Sequence, residues 1–136
     1  MKVVLDTNVL IVSIGKNSKY RWLFDSLLEK EFQLLITNDI LTEFEEIITQ
    51  KTDATVANNI IQMLLIRSNV IKIDVSYKWN LIEADKEDNK FVDCAVAGSA
   101  DYLVTEDKHF NILKTIDFPF VRVISIAEFK EIIENI

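Results

Sequence analysis

The sequence is short of the residues that usually staple, break or metallate a small domain: one cysteine, one proline, two glycines and one histidine in 136 residues. A lone Cys94 closes no internal disulfide, which argues against a disulfide-built secreted scaffold and suits a reducing, cytoplasmic setting. Two isolated glycines leave no Gly-rich phosphate loop, and one proline excludes collagen-like and Pro-rich chains. With His109 as the single histidine there is no Cys/His or His-rich zinc cluster. No apolar run approaches the ~20 residues that span a bilayer, so no membrane association is expected. The N-terminal MKVVLDTN meets a carboxylate after three apolar residues and is not expected to act as a signal peptide.

Basic residues are also scarce, 15 against 22 acids, for a net charge of −7. Bulk charge of that sign repels phosphate, which argues against simple polyanion binding through a basic face. The acids crowd between Glu83 and Asp93, where Glu83, Asp85, Glu87, Asp88 and Asp93 accompany two lysines. Such a stretch is either a solvated face or a cation-holding group, and the second would reverse the local sign.

What the sequence does have is core: 49% of it is apolar, with 10% aromatic. That length and composition suit one domain over residues 1–136. Short apolar runs alternate with helical stretches, the pattern of parallel strands joined by helical crossovers. Strands are expected at Lys2–Leu5, Phe32–Thr37, Val70–Ile73, Tyr102–Thr105 and Phe120–Ile124. Each is continuous rather than alternating, as strands buried on both faces are.

Helices are expected from Asn38 or Asp39 to about Lys51, with Ile40, Leu41, Phe44, Ile47 and Ile48 on one stripe. A second starts at a Thr55 cap, with Ile60, Ile61, Leu64 and Leu65 inward. A third runs from Asp88 or Asn89 to Ser99, where Ala97 and Gly98 permit close packing, and a last covers Ala127–Glu134. Trp22, Phe24 and Leu28 fit a helical core stripe. Five parallel strands with crossover helices make a three-layer α/β/α sandwich.

In an open parallel sheet, sites form beyond the carboxyl ends of the strands. Asp6, Thr7 and Asn8 follow the first strand. Thr37, Asn38 and Asp39 follow the second, with Glu43 one turn into the helix. Thr105, Glu106 and Asp107 follow the fourth, and the helix before that strand carries Asp88, Asn89 and Asp93. Carboxylates from several segments therefore converge on one sheet edge, where their repulsion is relieved by a hard cation. The structural alternatives are helix capping by Asp6 or Asp88, and solvent-facing roles for Glu43, Asp93 and Asp107. Nucleophilic chemistry finds no support: Cys94 lacks a patterned base and reads as core, and Ser13 and Ser99 lack a nucleophile elbow.

Taken in order, V-L-D-T-N-V-L at Val4–Leu10, L-T-E-F at Leu41–Phe44, E-D-N-K-F-V-D at Glu87–Asp93 and V-T-E-D-K-H-F at Val104–Phe110 resemble the PIN-domain ribonucleases. The similarity is greatest to the VapC-like toxin branch of toxin–antitoxin systems. The resemblance implies a parallel sheet of order 3-2-1-4-5 and an acidic pocket that binds Mg²⁺ or Mn²⁺ and cleaves single-stranded RNA. By position it implies metal-holding roles for Asp6, Glu43, Asp93 and Asp107. Asp88 matches a recurrent acid of the branch, so Asp88 and Asp93 both stand as the principal third acid. Asn8 and Thr105 match the polar neighbours that orient carboxylates or water. The chain departs from the branch at Lys86, where proline is common, and at Glu106, where a small residue is usual. A cognate antitoxin and a homodimer follow from the same resemblance.

Oxygen-only ligands favour Mg²⁺ or Mn²⁺ over zinc, with the ions polarising water and phosphate. Lys16, Lys19 and Arg21 form a local basic group that would guide RNA toward the acids. Three other readings compete. A phospho-acceptor receiver would use Asp74 after the third strand, but no Lys-Pro pair follows. An aspartate-based phosphohydrolase needs Asp-x-Asp after the first strand, and Asn8 fills its second position. A non-catalytic PIN-like binding protein would keep the fold alone.

Overall fold

The computed structural model describes all 136 residues. Five strands, β1 (Lys2–Leu5), β2 (Gln33–Ile36), β3 (Val70–Lys72), β4 (Tyr102–Val104) and β5 (Val123–Ile124), form one sheet in the order β3-β2-β1-β4-β5. Every neighbouring pair is parallel. Val3, Val4 and Leu5 are all buried, as are Leu34, Leu35 and Ile36. Successive strand residues point to opposite faces, so burial of consecutive residues means that both faces are covered. The three-layer sandwich and its strand order are those expected.

Six α-helices supply the cover: α1 (Thr7–Ser13), α2 (Arg21–Leu28), α3 (Asn38–Lys51), α4 (Ala54–Ile66), α5 (Asn89–Ala97) and α6 (Ile126–Glu134). Two 3₁₀ segments, Lys86–Asp88 and Lys108–Thr115, lead into α5 and follow β4. The α3 stripe holds, with Ile40, Phe44 and Ile48 buried. Its cap is Thr37, whose hydroxyl accepts from the Ile40 amide at 3.1 Å. Helix α4 begins earlier than expected, because Asp53 rather than Thr55 caps it by accepting from the Val56 amide. Its inward face is Ala57, Ile61 and Leu64, and Leu65 turns outward, 53% exposed.

Helix α5 stops at Ala97, and Gly98 is where it meets the sheet. A Cβ there would lie 2.6 Å from Leu35 Cδ1 and 3.2 Å from Ile73 Cδ1. Ala97 itself is exposed and plays no part in that approach. Strand β5 is shorter than its apolar run, and Phe118 and Phe120 stand 82% and 66% exposed. Ser125 and Glu128 close a reciprocal capping box at the start of α6. Phe129 of α6 packs edge-on against Phe32 at 5.2 Å. No helix is long and apolar enough to cross a membrane.

Candidate functional site

The chain runs from β1 outward to β3 and then returns to lay β4 beside β1. The carboxyl ends of β1 and β4 therefore flank the point where strand order reverses, the place where such sheets open a crevice. Asp6 follows β1, and its amide donates to the Val104 carbonyl at 3.1 Å, tying it to the end of β4. Thr105 continues β4 and donates its hydroxyl to Asp6 Oδ2 at 2.8 Å. The same Thr105 oxygen accepts from the Asp107 amide at 3.0 Å, so one buried hydroxyl sets both aspartates.

Asp6 occupies the N-cap position of α1, yet its side chain makes no capping bond. The carboxylate is left facing the crevice. Asp88 does the same at the N-cap of α5, again without a capping bond. Asp107 does cap its 3₁₀ segment, with Oδ1 accepting from the His109 amide at 2.9 Å.

These acids feel one another. Burial raises the Asp6 carboxyl above its ordinary range, the Thr105 bond opposes that, and the charges of Asp107 and Glu43 add to the rise. Burial, followed by the charges of Asp107, Asp85 and Asp6, pushes Asp88 up to about 6. His109 is the one group that relieves it. Its Nδ1 stands 3.4 Å from Asp88 Oδ2 and 3.5 Å from Asp107 Oδ1. Asp85, Asp88 and His109 each place one ligand atom within 4.8 Å of the others.

Glu43 reaches the group from α3, held on both oxygens. Oε2 accepts from the Thr7 hydroxyl and Oε1 lies 2.8 Å from Lys90 Nζ. Lys90 also meets Glu87 at 2.9 Å. Burial would lower the lysine's affinity for its proton, but its bonds to the two glutamates outweigh that and raise it.

Asp93 does not join this group. Residues 88 and 93 lie five positions apart on one helix, so they face different directions. Asp93 Oδ1 accepts from the Trp79 amide at 3.0 Å. Burial raises its carboxyl, opposed by that bond and by Lys78, with no part played by the other acids. Asn89, one turn away on the same face, accepts from the Ile82 amide and donates to the Ile82 carbonyl, both at 2.9 Å. Together Asn89 and Asp93 pin the long connection between β3 and α5.

Of the other residues singled out, Asn8 lines the crevice with Asp6 and Asp107. Lys16 and Lys19 are exposed before α2. Arg21 is committed locally, to Asp25 at 2.9 Å and to the Ile14 carbonyl at 2.6 Å. Cys94 is buried, its thiol pushed up to about 12. Sequence reasoning placed Thr7 at the strand end without its bond to Glu43, passed over Lys90, and discounted His109 as a metal ligand. The signal for Lys90 was its place one turn after Glu87, which reads as an ordinary surface pair.

The donor set is thus carboxylate-rich and mutually repelling. It can hold a hard divalent cation, which would relieve the repulsion that raises Asp6 and Asp88. The chain has relatives in family and in fold. A family model described as PIN domain matches residues 2–109. No curated protein sequence matches the chain. Among solved structures, VapBC2 from Rickettsia felis, bound to a DNA fragment from its promoter, superposes with a TM-score of 0.63 at 20% identity, covering 92% of this chain and 98% of that one. VapC20 of Mycobacterium tuberculosis, a Sarcin-Ricin loop cleaving toxin, gives 0.60 at 11% identity over 80% and 92%. DNA-bound VapBC from Salmonella typhimurium gives 0.58 at 16% identity over 93% and 98%. At these identities the likeness is one of fold.

Proposed function

This chain belongs to the PIN domain family, and from that premise we propose that it is a Mg²⁺- or Mn²⁺-dependent endoribonuclease that hydrolyses phosphodiester bonds of single-stranded RNA. The observation that carries the reading is the convergence of Asp6, Asp88 and Asp107 at the β1/β4 crevice, with Glu43 beside them and only Lys90, on Glu43, and His109, beside Asp88 and Asp107, set against their charge. Asp6, Glu43, Asp88 and Asp107 would hold the cation, and Asp88 rather than Asp93 is the third acid. Bound there, a divalent ion lowers the pKa of a water and neutralises charge growing on the scissile phosphate.

The chain's own residues do the positioning. Thr105 orients Asp6 through its Oδ2 and spaces Asp107 through the backbone. Thr7 and Lys90 hold Glu43 on both oxygens, so the carboxylate is placed before any ligand arrives. His109 sits between Asp88 and Asp107, and its bond opposes the rise of the Asp88 carboxyl. No side-chain nucleophile is required, in keeping with a buried Cys94. Lys16 and Lys19 are the exposed cations placed to draw the RNA backbone toward an otherwise acidic surface.

The solved VapBC structures support a role as the toxin of a toxin–antitoxin pair, with a cognate antitoxin as protein partner; a homodimer is the assembly that goes with this reading. Cleavage of a labelled single-stranded RNA with Mg²⁺ or Mn²⁺, against chelator and an Asp6→Asn control, tests the activity. Metal-dependent cutting lost in the variant is the expected result. Cutting that survives both chelator and substitution would refute it.

A further inference from the structure

Beside the acids, the crevice has a second half that the metal does not need. Val9, Val12, Tyr20 and Ile126 form an apolar wall, Asp6 and Asp107 form the floor, and Glu106 stands at the rim of a cavity of about 330 Å³. The pockets beside Asp93 and Glu43 are polar, with one apolar residue and none. An apolar slot whose floor consists of two carboxylates is an unusual combination. It suits a ligand with one flat apolar part joined over a short distance to a group that a cation on those carboxylates would hold.

We infer that this slot receives a nucleobase of the RNA strand, the one attached next to the scissile phosphate, and that Tyr20 and Glu106 make it prefer guanine. The inference rests on the nuclease reading above for the position of the phosphate. A phosphate that reaches Asp6 and Asp107 through the cation they would hold leaves its adjoining base within reach of the wall that shares that floor.

Tyr20 is half-buried at the N-terminus of α2, with its ring on the slot. Lys19, which is not part of the slot, lies over the ring from outside at 5.0 Å. A cation thus lies over the ring, and the part of the ring that lines the slot offers a base a stack that is sequence-tolerant by itself. Selection comes from Glu106, an exposed carboxylate with only acceptor atoms. Guanine presents two adjacent N–H donors, N1–H and N2–H, that match both carboxylate oxygens. Adenine and cytosine pair one donor with an acceptor, and uracil flanks its single donor with two carbonyls.

The test has two arms. Cleavage sites of the metal-loaded protein are mapped on a random single-stranded RNA pool for the wild type, Tyr20→Ala, Tyr20→Phe and Glu106→Gln. Separately, GMP, AMP, CMP and UMP are titrated into each protein while amide signals of Tyr20 and Ile126 are followed by NMR. Guanine should be preferred at one position flanking the cut. Tyr20→Ala should lower cleavage about 10-fold or more, the loss of one base stack, and Tyr20→Phe should restore it. Glu106→Gln should flatten the base preference without abolishing cutting, and GMP should shift the slot signals at lower concentration than the other nucleotides.

A base preference unchanged by Tyr20→Ala and Glu106→Gln overturns the inference while leaving the nuclease intact. Should no RNA be cut, the nuclease reading fails and the titration still decides: GMP-selective shifts keep the slot, and their absence removes it. A Tyr20→Ala protein that loses only affinity for a protein partner, with nucleotides giving no shifts, also overturns it.

Discussion

Replacing Asp88 by Asn should stabilise the metal-free protein while abolishing its activity. Asp88 is buried, faces Asp107, Asp85 and Asp6, and its carboxyl sits at about 6 instead of 3.8. The folded state therefore binds a proton more tightly than the unfolded chain does. Stability from this group is greatest below the unfolded value and declines as pH rises through the interval from about 4 to about 6. A rise of roughly two pH units caps the cost of ionising Asp88 at about 3 kcal/mol, and solvent reaching the crevice reduces that to about 1–2 kcal/mol.

Asn keeps the shape, removes the charge and escapes the cost. In chelator at pH 7.5, Asp88→Asn should be more stable than wild type by about 1–2 kcal/mol, a rise in Tm of about 3–6 °C. Near pH 4 the two proteins should converge. Urea melts from pH 4 to 8 give the comparison, and the difference between the two proteins cancels the titrating groups remote from the cluster. Saturating Mg²⁺ should reverse the order by stabilising the wild type, about 2.7 kcal/mol at a hundred times Kd, and leaving the variant unmoved. A variant less stable than wild type at pH 7.5, or a stability difference that is flat with pH, would refute the account of a strained acid cluster.

Thr105→Val deletes the bond to Asp6 and the acceptor for the Asp107 amide in a buried position; it should cost about 1–2 kcal/mol in urea melts and lower RNA cleavage at least about 10-fold. Gly98→Ala places a methyl 2.6 Å from Leu35 Cδ1 and 3.2 Å from the Cys94 carbonyl, so it should lower stability by about 1–3 kcal/mol, with cleavage per folded molecule unchanged. Asp93→Asn retains an oxygen for the Trp79 amide and should cleave RNA within about twofold of wild type, whereas Asp88→Asn should not cleave. Equal loss in the two variants would return Asp93 to the site.

Much of the fold was legible because its signals are local. Val3 to Leu5 and Leu34 to Ile36 are continuous apolar runs, and only a doubly covered sheet buries such runs completely. The misplacements occur where two local signals compete. Asp53 and Thr55 both offer a capping oxygen, and choosing Asp53 starts α4 earlier; the buried stripe then runs Ala57, Ile61, Leu64, and Leu65 lies beyond its edge. The run from Phe120 looked like strand, but only Val123 and Ile124 pair with β4. The stretch before them follows Pro119, which has no N–H to give a ladder.

At the site, a different property separates functional acids from the rest. Aspartates gather at helix starts because their oxygens satisfy free amides there, so position alone makes Asp6, Asp53, Asp85 and Asp88 equivalent. The structure divides them. Asp53 and Asp85 spend an oxygen on the Val56 and Glu87 amides. Asp6 and Asp88 stand at the starts of α1 and α5 without a bond to the amides of the following turn, which for Asp6, in extended backbone, forgoes about 1 kcal/mol. Both are instead buried against like charge, which costs more again. A sequence displays the residue type and the spacing, and Asp88 and Asp93 share both virtues on one helix. What it does not display is which of the two has its oxygens already taken, and the Trp79 amide that occupies Asp93 comes from fourteen residues earlier in the chain. An aspartate that begins a helix without capping it, and sits beside another doing the same, is held in place for a charge that the chain itself does not supply.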